Sequence, residues 1–290
     1  MAELLTNRQA RVMAVKPSAI VGIIRFSIVL KESNFFPPLS GQGYLERKTR
    51  IFDRARLQRR LQLFEDICLP SLVEQTDQNF NIMLITSRDL PDWAHDRLMG
   101  LVRDLPNVYV RAYRPQANIQ RVFKRSVFEM LDPTAHITAS FRLDDDDALA
   151  CDYVARLRMH MIPENTGNVI TFLHGHQLAL SDGALQFCDD TRECGSAGLA
   201  LVQKGRVMSL PETVTVHCLG GHRKVGQLAP VVIDQTDAMY VQTANGFNVT
   251  GRSGGASGKA ISANDLAGIL HTKFPHLDAE TLERLHIVYP

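Results

Sequence analysis

Two hydrophobic rhythms alternate along the first half of this chain. Residues 19–27 (AIVGIIRFS) form a short, branched, nearly unbroken apolar run, the signature of a strand buried on both faces. Residues 33–43 carry prolines and glycines and read as a loop. The period then changes. Leu57, Leu61, Phe64, Cys68 and Leu72 recur every three or four residues, predicting an amphipathic helix within 45–75 that Pro70 ends or kinks. Residues 81–86 (NIMLIT) read as a second strand, and Pro91 opens a helix running to Leu105. Residues 108–113 are a third strand. Residues 118–131 are a helix with Ile119, Val122, Phe123, Val127 and Met130 on one face. Residues 137–143 form a fourth strand that runs straight into Asp144, Asp145, Asp146 and Asp147, and 152–162 is helical again.

This alternation predicts an α/β fold with an open, mostly parallel sheet flanked by helices. Ligands of such sheets bind beyond the carboxyl ends of the strands, where the aspartates lie. The second half is strand-rich, with short candidates at 168–173, 177–180, 184–188, 199–203, 213–218 and 239–243. No linker separates the halves, so residues 1–250 read as one domain, with 16–150 as its nucleotide-binding half and 151–250 as its acceptor half. Residues 251–260, including GRSGGASGK, read as a flexible Gly/Ser loop. Residues 261–290 read as a short helical C-terminal tail, with Asn264 as a cap for one helix and Asp278 opening another.

Composition narrows the class. The 290 residues are 45% hydrophobic and 22% charged, an ordinary globular balance, and the net charge of +1 names no partner. Cys68, Cys151, Cys188, Cys194 and Cys218 include no CxxC pair, which points to free thiols in a reducing compartment. With no leader-like stretch and no long apolar run, the expected place is the cytoplasm, including the inner face of the membrane.

The aspartate run carries the chemistry. Hard divalent cations such as Mn2+ and Mg2+ prefer carboxylate oxygens, and a cation so held neutralises a diphosphate leaving group. The competing reading is that Asp146 or Asp147 caps the next helix. Capping accounts for one aspartate; four adjacent like charges cost stability unless a cation relieves them. An EF-hand is excluded, because Leu149 and Ala155 stand where glycine and glutamate are needed.

The segment Ser140-Phe-Arg-Leu-Asp-Asp-Asp-Asp-Ala-Leu149 resembles the Arg-Leu-Asp-x-Asp-Asp-Ala-Leu signature of the putative bacterial rhamnosyltransferase family. Leu69-Pro70-Ser71-Leu72, Gln75 and Asn79-Phe80 are similar to that family's helix-to-strand segment, and Arg25-Phe26-Ser27 to the end of its first strand. The resemblance implies a GT-A-like fold, a nucleotide-sugar donor and a divalent metal. Met239 to Asn248 resembles a further family segment, with Asn245 where a histidine more often stands.

The remaining candidates follow. Asp144, Asp146, Asp147 and His217 are candidate metal ligands, with His222 an alternative to His217. Asp144, Asp145, Arg25, Arg121, Arg142, Arg252 and Lys259 are candidate donor contacts. For Arg25 and Arg142 the alternative is a structural ion pair, and for Arg121 a solvated helix face. Arg252 and Lys259 would close the Gly/Ser loop over a diphosphate. Asp190 and Asp237 are candidate catalytic bases. The cations of 47–60 read as a solvent face, or as contacts for an anionic acceptor or membrane surface. His174-Gly-His176 looks zinc-like but lacks cysteines in register. The partners expected are a nucleotide sugar and a glycan, lipid-linked or small-molecule acceptor. Nucleic acid is not expected, because aromatic interleaving is sparse. The rivals are a metal-dependent phosphohydrolase or phosphotransferase, against which Ala148 and Leu149 count, and a silent nucleotide-sugar-binding protein.

Overall fold

The computed structural model describes residues 16–31, 42–181, 184–205, 209–245 and 258–288. Its first half alternates as the periodicity predicts: β1 (Ile20–Arg25), α1 (Tyr44–Ile51), α2 (Arg54–Leu63), α3 (Leu69–Val73), β2 (Asn81–Ser87), α4 (Asp92–Val102), β3 (Val108–Tyr113), α5 (Ile119–Phe128) and β4 (Ile137–Asp144). The second half holds β5 (Ala148–Leu149), α6 (Tyr153–Met159), β6 (Val169–Ser181), β7 (Ala184–Thr191), β8 (Ala200–Lys204), β9 (Val231–Asn245), α7 (Ala263–Lys273) and α8 (Ala279–Val288).

One sheet runs through the molecule in the order β3-β2-β1-β4-β8-β6-β9-β5, with β7 paired to β6. β3, β2, β1 and β4 are parallel, β8 is antiparallel to both its neighbours, and β6 and β9 are parallel. This mixed, mostly parallel order is the GT-A-like arrangement the sequence led us to expect. The register is tight at the centre: Gly22 on β1 faces Phe141 on β4, and a Cβ there would come within 2.4 Å of the Phe141 ring. Glycine at this position makes room for a ring that packs on both Phe80 and Tyr153.

The predicted helix over 45–75 is broken. Asp53 ends the first piece and caps the second, accepting from the Arg56 N–H at 2.8 Å. Pro70 does not stop the helix. The chain widens into a π turn at Phe64–Cys68 just before it, where the Leu69 N–H reaches back to the Phe64 carbonyl, and helix resumes through Pro70. The two candidates at 168–173 and 177–180 are one long strand with irregular register near His174 and His176. Gly175 lets the Tyr240 ring cross the strand there, since a Cβ would meet that ring at 2.4 Å. Residues 213–218 are not a strand. Both edges of β4 are taken by β1 and β8, so this segment packs over α5 as a 3₁₀ turn, Val216–Leu219, whose Val216 N–H donates to Ser140 Oγ at 3.1 Å.

The tail helices belong to the main core. Phe274, Leu277 and Leu285 are fully buried with Phe64, Tyr153 and Met239. Ser262 rather than Asn264 caps α7, its Oγ accepting from the Asp265 N–H. Among the described residues, no helix is long and apolar enough to cross a membrane.

Candidate functional site

β1 and β4 end side by side, with Arg25 opposite Asp144 in register. The Arg25 guanidinium donates to Asp144 Oδ1 at 2.7 Å. Burial works against the Asp144 charge, yet the charges of Arg25 and Arg142 hold this carboxyl well below the usual range. A turn follows, closed by the Asp147 N–H on the Asp144 carbonyl at 3.2 Å, and it leads into the short strand β5. The run therefore caps no helix. α6 begins later, at Tyr153, and Asp152 makes no side-chain cap there.

Arg60 reaches the run from α2. It pairs with Asp145, and its Nη1 donates to Asp146 Oδ2 at 2.5 Å. Asp145, Asp146 and Asp147 are all buried. Asp147 has the least compensation: its Oδ1 accepts the Thr243 N–H at 3.0 Å. Burial, then the charges of Asp146 and Asp144, push its pKa well above the ordinary value.

Sequence reading missed Arg60, grouping it with a basic solvent face. The signal was present. At 100° per residue, Arg60 falls inside the apolar arc marked by Leu63, Phe64 and Leu57, where a cation needs a buried acid. Its neighbours also turn inward. Arg47 is buried and donates to the carbonyls of Leu30 and Lys31 at 2.9 Å. Arg56 donates to Ser27 Oγ at 3.2 Å and to the Ile51 carbonyl at 2.7 Å; burial and then Arg60 bring its pKa down to about 10. Ser27, just past β1, has φ of 44°, an uncommon left-handed conformation for serine.

The other expected contacts scatter. Arg142 is buried on β4; burial and Arg25 lower its pKa to about 10. His217 is buried, 1% exposed, with its ring 4.3 Å from that of Phe123. Burial, then the charges of Arg142 and Arg25, keep it neutral. Arg121 is exposed in the first turn of α5, where its N–H is capped by Asn118. Arg252 lies outside the described residues. Lys259 is exposed, and its carbonyl accepts from the Asp189 N–H at 2.9 Å, so residues 258–261 run beside β7. Asn245 ends β9.

The two candidate bases differ. Asp190 on β7 is buried, accepting from Arg192 Nε at 2.8 Å and from the Tyr240 hydroxyl at 2.9 Å. Tyr240 pairs in register with Leu149, two residues beyond the run, and feels the charge of Asp147. Asp237 lies at the surface and pairs with Lys273 of α7 at 3.2 Å, alongside Asp152. Among the described residues, no group of three or more histidine, cysteine or acidic side chains converges as a metal cage. The candidate metal ligands Asp144, Asp146, Asp147 and His217 are therefore not gathered into one such cage among the described residues.

A sheet of this strand order, with a carboxylate run leaving the end of its central parallel strand, is a GT-A-like arrangement. Over residues 19–257 the chain matches the profile of the family described as "Putative rhamnosyl transferase". It belongs to that family. No curated protein matches it. Solved structures similar to it include S. aureus TarS 1-349, with 9% identity over 78% of this chain and 60% of that one, at a TM-score of 0.41. The mannosyltransferase PcManGT from Pyrobaculum calidifontis, in complex with GDP-Man and Mn2+, has 11% identity over 99% and 79% of the two chains, at a TM-score of 0.40. The chain thus spans about three fifths of the TarS fragment.

Proposed function

We propose that this protein is a glycosyltransferase that moves a sugar, rhamnose in keeping with its family, from a nucleoside-diphosphate donor to an acceptor hydroxyl, with a divalent cation at the aspartate run. The observation that carries this reading is the tight turn joining Asp144 to Asp147 at the end of β4. Among the described residues, each of these two carboxylates commits only Oδ1 to a partner. Two carboxylates suit Mn2+ or Mg2+, which commonly complete their shells with water and substrate phosphate rather than an all-protein cage. The unfavourable charge at Asp147 suits such a cation, which would relieve it. Bound there, the cation would neutralise charge growing on the departing diphosphate.

The chain's own residues supply the rest. Arg60 holds Asp145 and Asp146 in place, which fixes the turn. Asp190, oriented by Arg192 and Tyr240, takes the proton from the acceptor hydroxyl as its oxygen attacks the anomeric carbon. The bond from that carbon to the phosphate oxygen breaks, and nucleoside diphosphate leaves.

The test is a panel of nucleotide sugars with Mn2+, Mg2+ or EDTA, read as nucleoside diphosphate released. The expected result is metal-dependent release that Asp147→Asn abolishes. Equal release in EDTA would remove the metal from the reading, and turnover of no donor would remove the donor class.

A further inference from the structure

Alternate residues of β4 that face α5 are all polar: Thr138, Ser140, Arg142 and Asp144. Two are satisfied. Ser140 accepts from Val216, and Asp144 is paired with Arg25. Arg142, between them, is not. Its residue is 7% exposed, and among the described residues its side chain makes no hydrogen bond or ion pair. His217 follows the Val216 anchor, so it sits over the same face, held against Phe123. Its buried Nδ1 likewise has no partner. Arg60 and its carboxylates do not help here, because α2 packs on the other face of the sheet, with Phe141 and Leu143.

Asp144 and Asp147 act on Arg142 through charge alone, and burial outweighs them; a buried guanidinium that forms no hydrogen-bonded ion pair is costly, and it persists where an anion completes it. Guanidinium offers a planar fork of donors that matches phosphate. A ring N–H adds one donor more. We infer that Arg142 and His217 form an oxyanion subsite that binds a phosphate group of the substrate without metal. The phosphate comes from the donor diphosphate or from a phosphorylated acceptor. This inference rests on the glycosyltransferase reading for its substrate class and assigns His217 to phosphate rather than to metal.

The experiment uses the full chain in EDTA, titrated calorimetrically with inorganic pyrophosphate, a nucleoside diphosphate panel and a sugar 1-phosphate, with thermal melting of the free protein alongside. Wild type is expected to bind a phosphate probe in EDTA. Arg142→Met should weaken that binding at least tenfold, and His217→Phe about threefold. Arg142→Met should also raise the Tm of the free protein, because burial costs this charge more than the attraction of Asp144 and Asp147 returns; a merely structural arginine would lower it. Competition between pyrophosphate and nucleoside diphosphate identifies the donor as the source. Sugar-phosphate binding unaffected by saturating nucleoside diphosphate identifies the acceptor. No phosphate binding in EDTA, or binding unchanged in Arg142→Met, overturns the subsite. Failure of the transfer reading shows separately, as absent donor turnover while pyrophosphate binding persists.

Discussion

Arg60, in the last turn of α2, donates to Asp146, 86 residues further along the chain, at 2.5 Å, and pairs with Asp145 as well. One guanidinium thus ties two buried carboxylates of the run to the helix between β1 and β2. Arg60→Met removes the guanidinium that both buried carboxylates face and should cost about 3–5 kcal/mol. Adding Asp145→Asn should restore part of it. Urea unfolding of the single and double variants measures this, and a loss under about 1 kcal/mol for Arg60→Met would contradict the pairing.

Gly22→Ala tests the sheet centre. The added methyl meets the Phe141 ring at 2.4 Å and Ile82 Cδ1 at 2.6 Å, both fully buried. Overpacking there should cost about 1–3 kcal/mol. The same unfolding assay applies, and an unchanged midpoint would mean the strands part easily at this point.

His276 sets an acid limb on stability. It is buried, its Nδ1 lies 3.4 Å from Glu74 Oε2 without a hydrogen bond from either ring nitrogen, and burial lowers its pKa from 6.5 to about 4. The unfolded chain binds the proton more readily between these values. Stability is therefore fully present above about pH 6.5 and falls as pH drops toward 4, by on the order of 3 kcal/mol. His276→Phe should flatten that limb while leaving neutral-pH stability nearly intact. An identical pH profile in the variant would show that other groups set the slope.

Asp190 and Asp237 separate in kinetics. Asp190→Asn should lower kcat roughly 10²–10⁴-fold, the usual worth of a general base, while nucleoside diphosphate affinity stays within a factor of two to three. Asp237→Asn should leave kcat alone and cost no more than about 1 kcal/mol, since it removes only an exposed pair to Lys273. Equal activity losses in the two would refute the assignment of Asp190 as base.

The sequence by itself determined the strand–helix alternation, the parallel sheet and where the aspartate run leaves it, because each is written locally. A buried parallel strand must be continuously apolar, a packed helix must repeat every three or four residues, and a strand that ends in four aspartates ends at the ligand edge. Local pattern was weaker in the second half. The start of β9 reads as polar because Asp234 is buried against Arg156 and His160, and those partners lie more than 70 residues upstream. Residues 213–218 have strand-like composition, yet no sheet edge was left for them. Only the tertiary structure decided which carboxylates Arg25 and Arg60 neutralise, and that Arg142 and His217 are buried on the α5 face. Periodicity tells which way a side chain points, but the energy of a charge depends on what lies opposite, and that is fixed by strand order and packing between segments far apart in the chain.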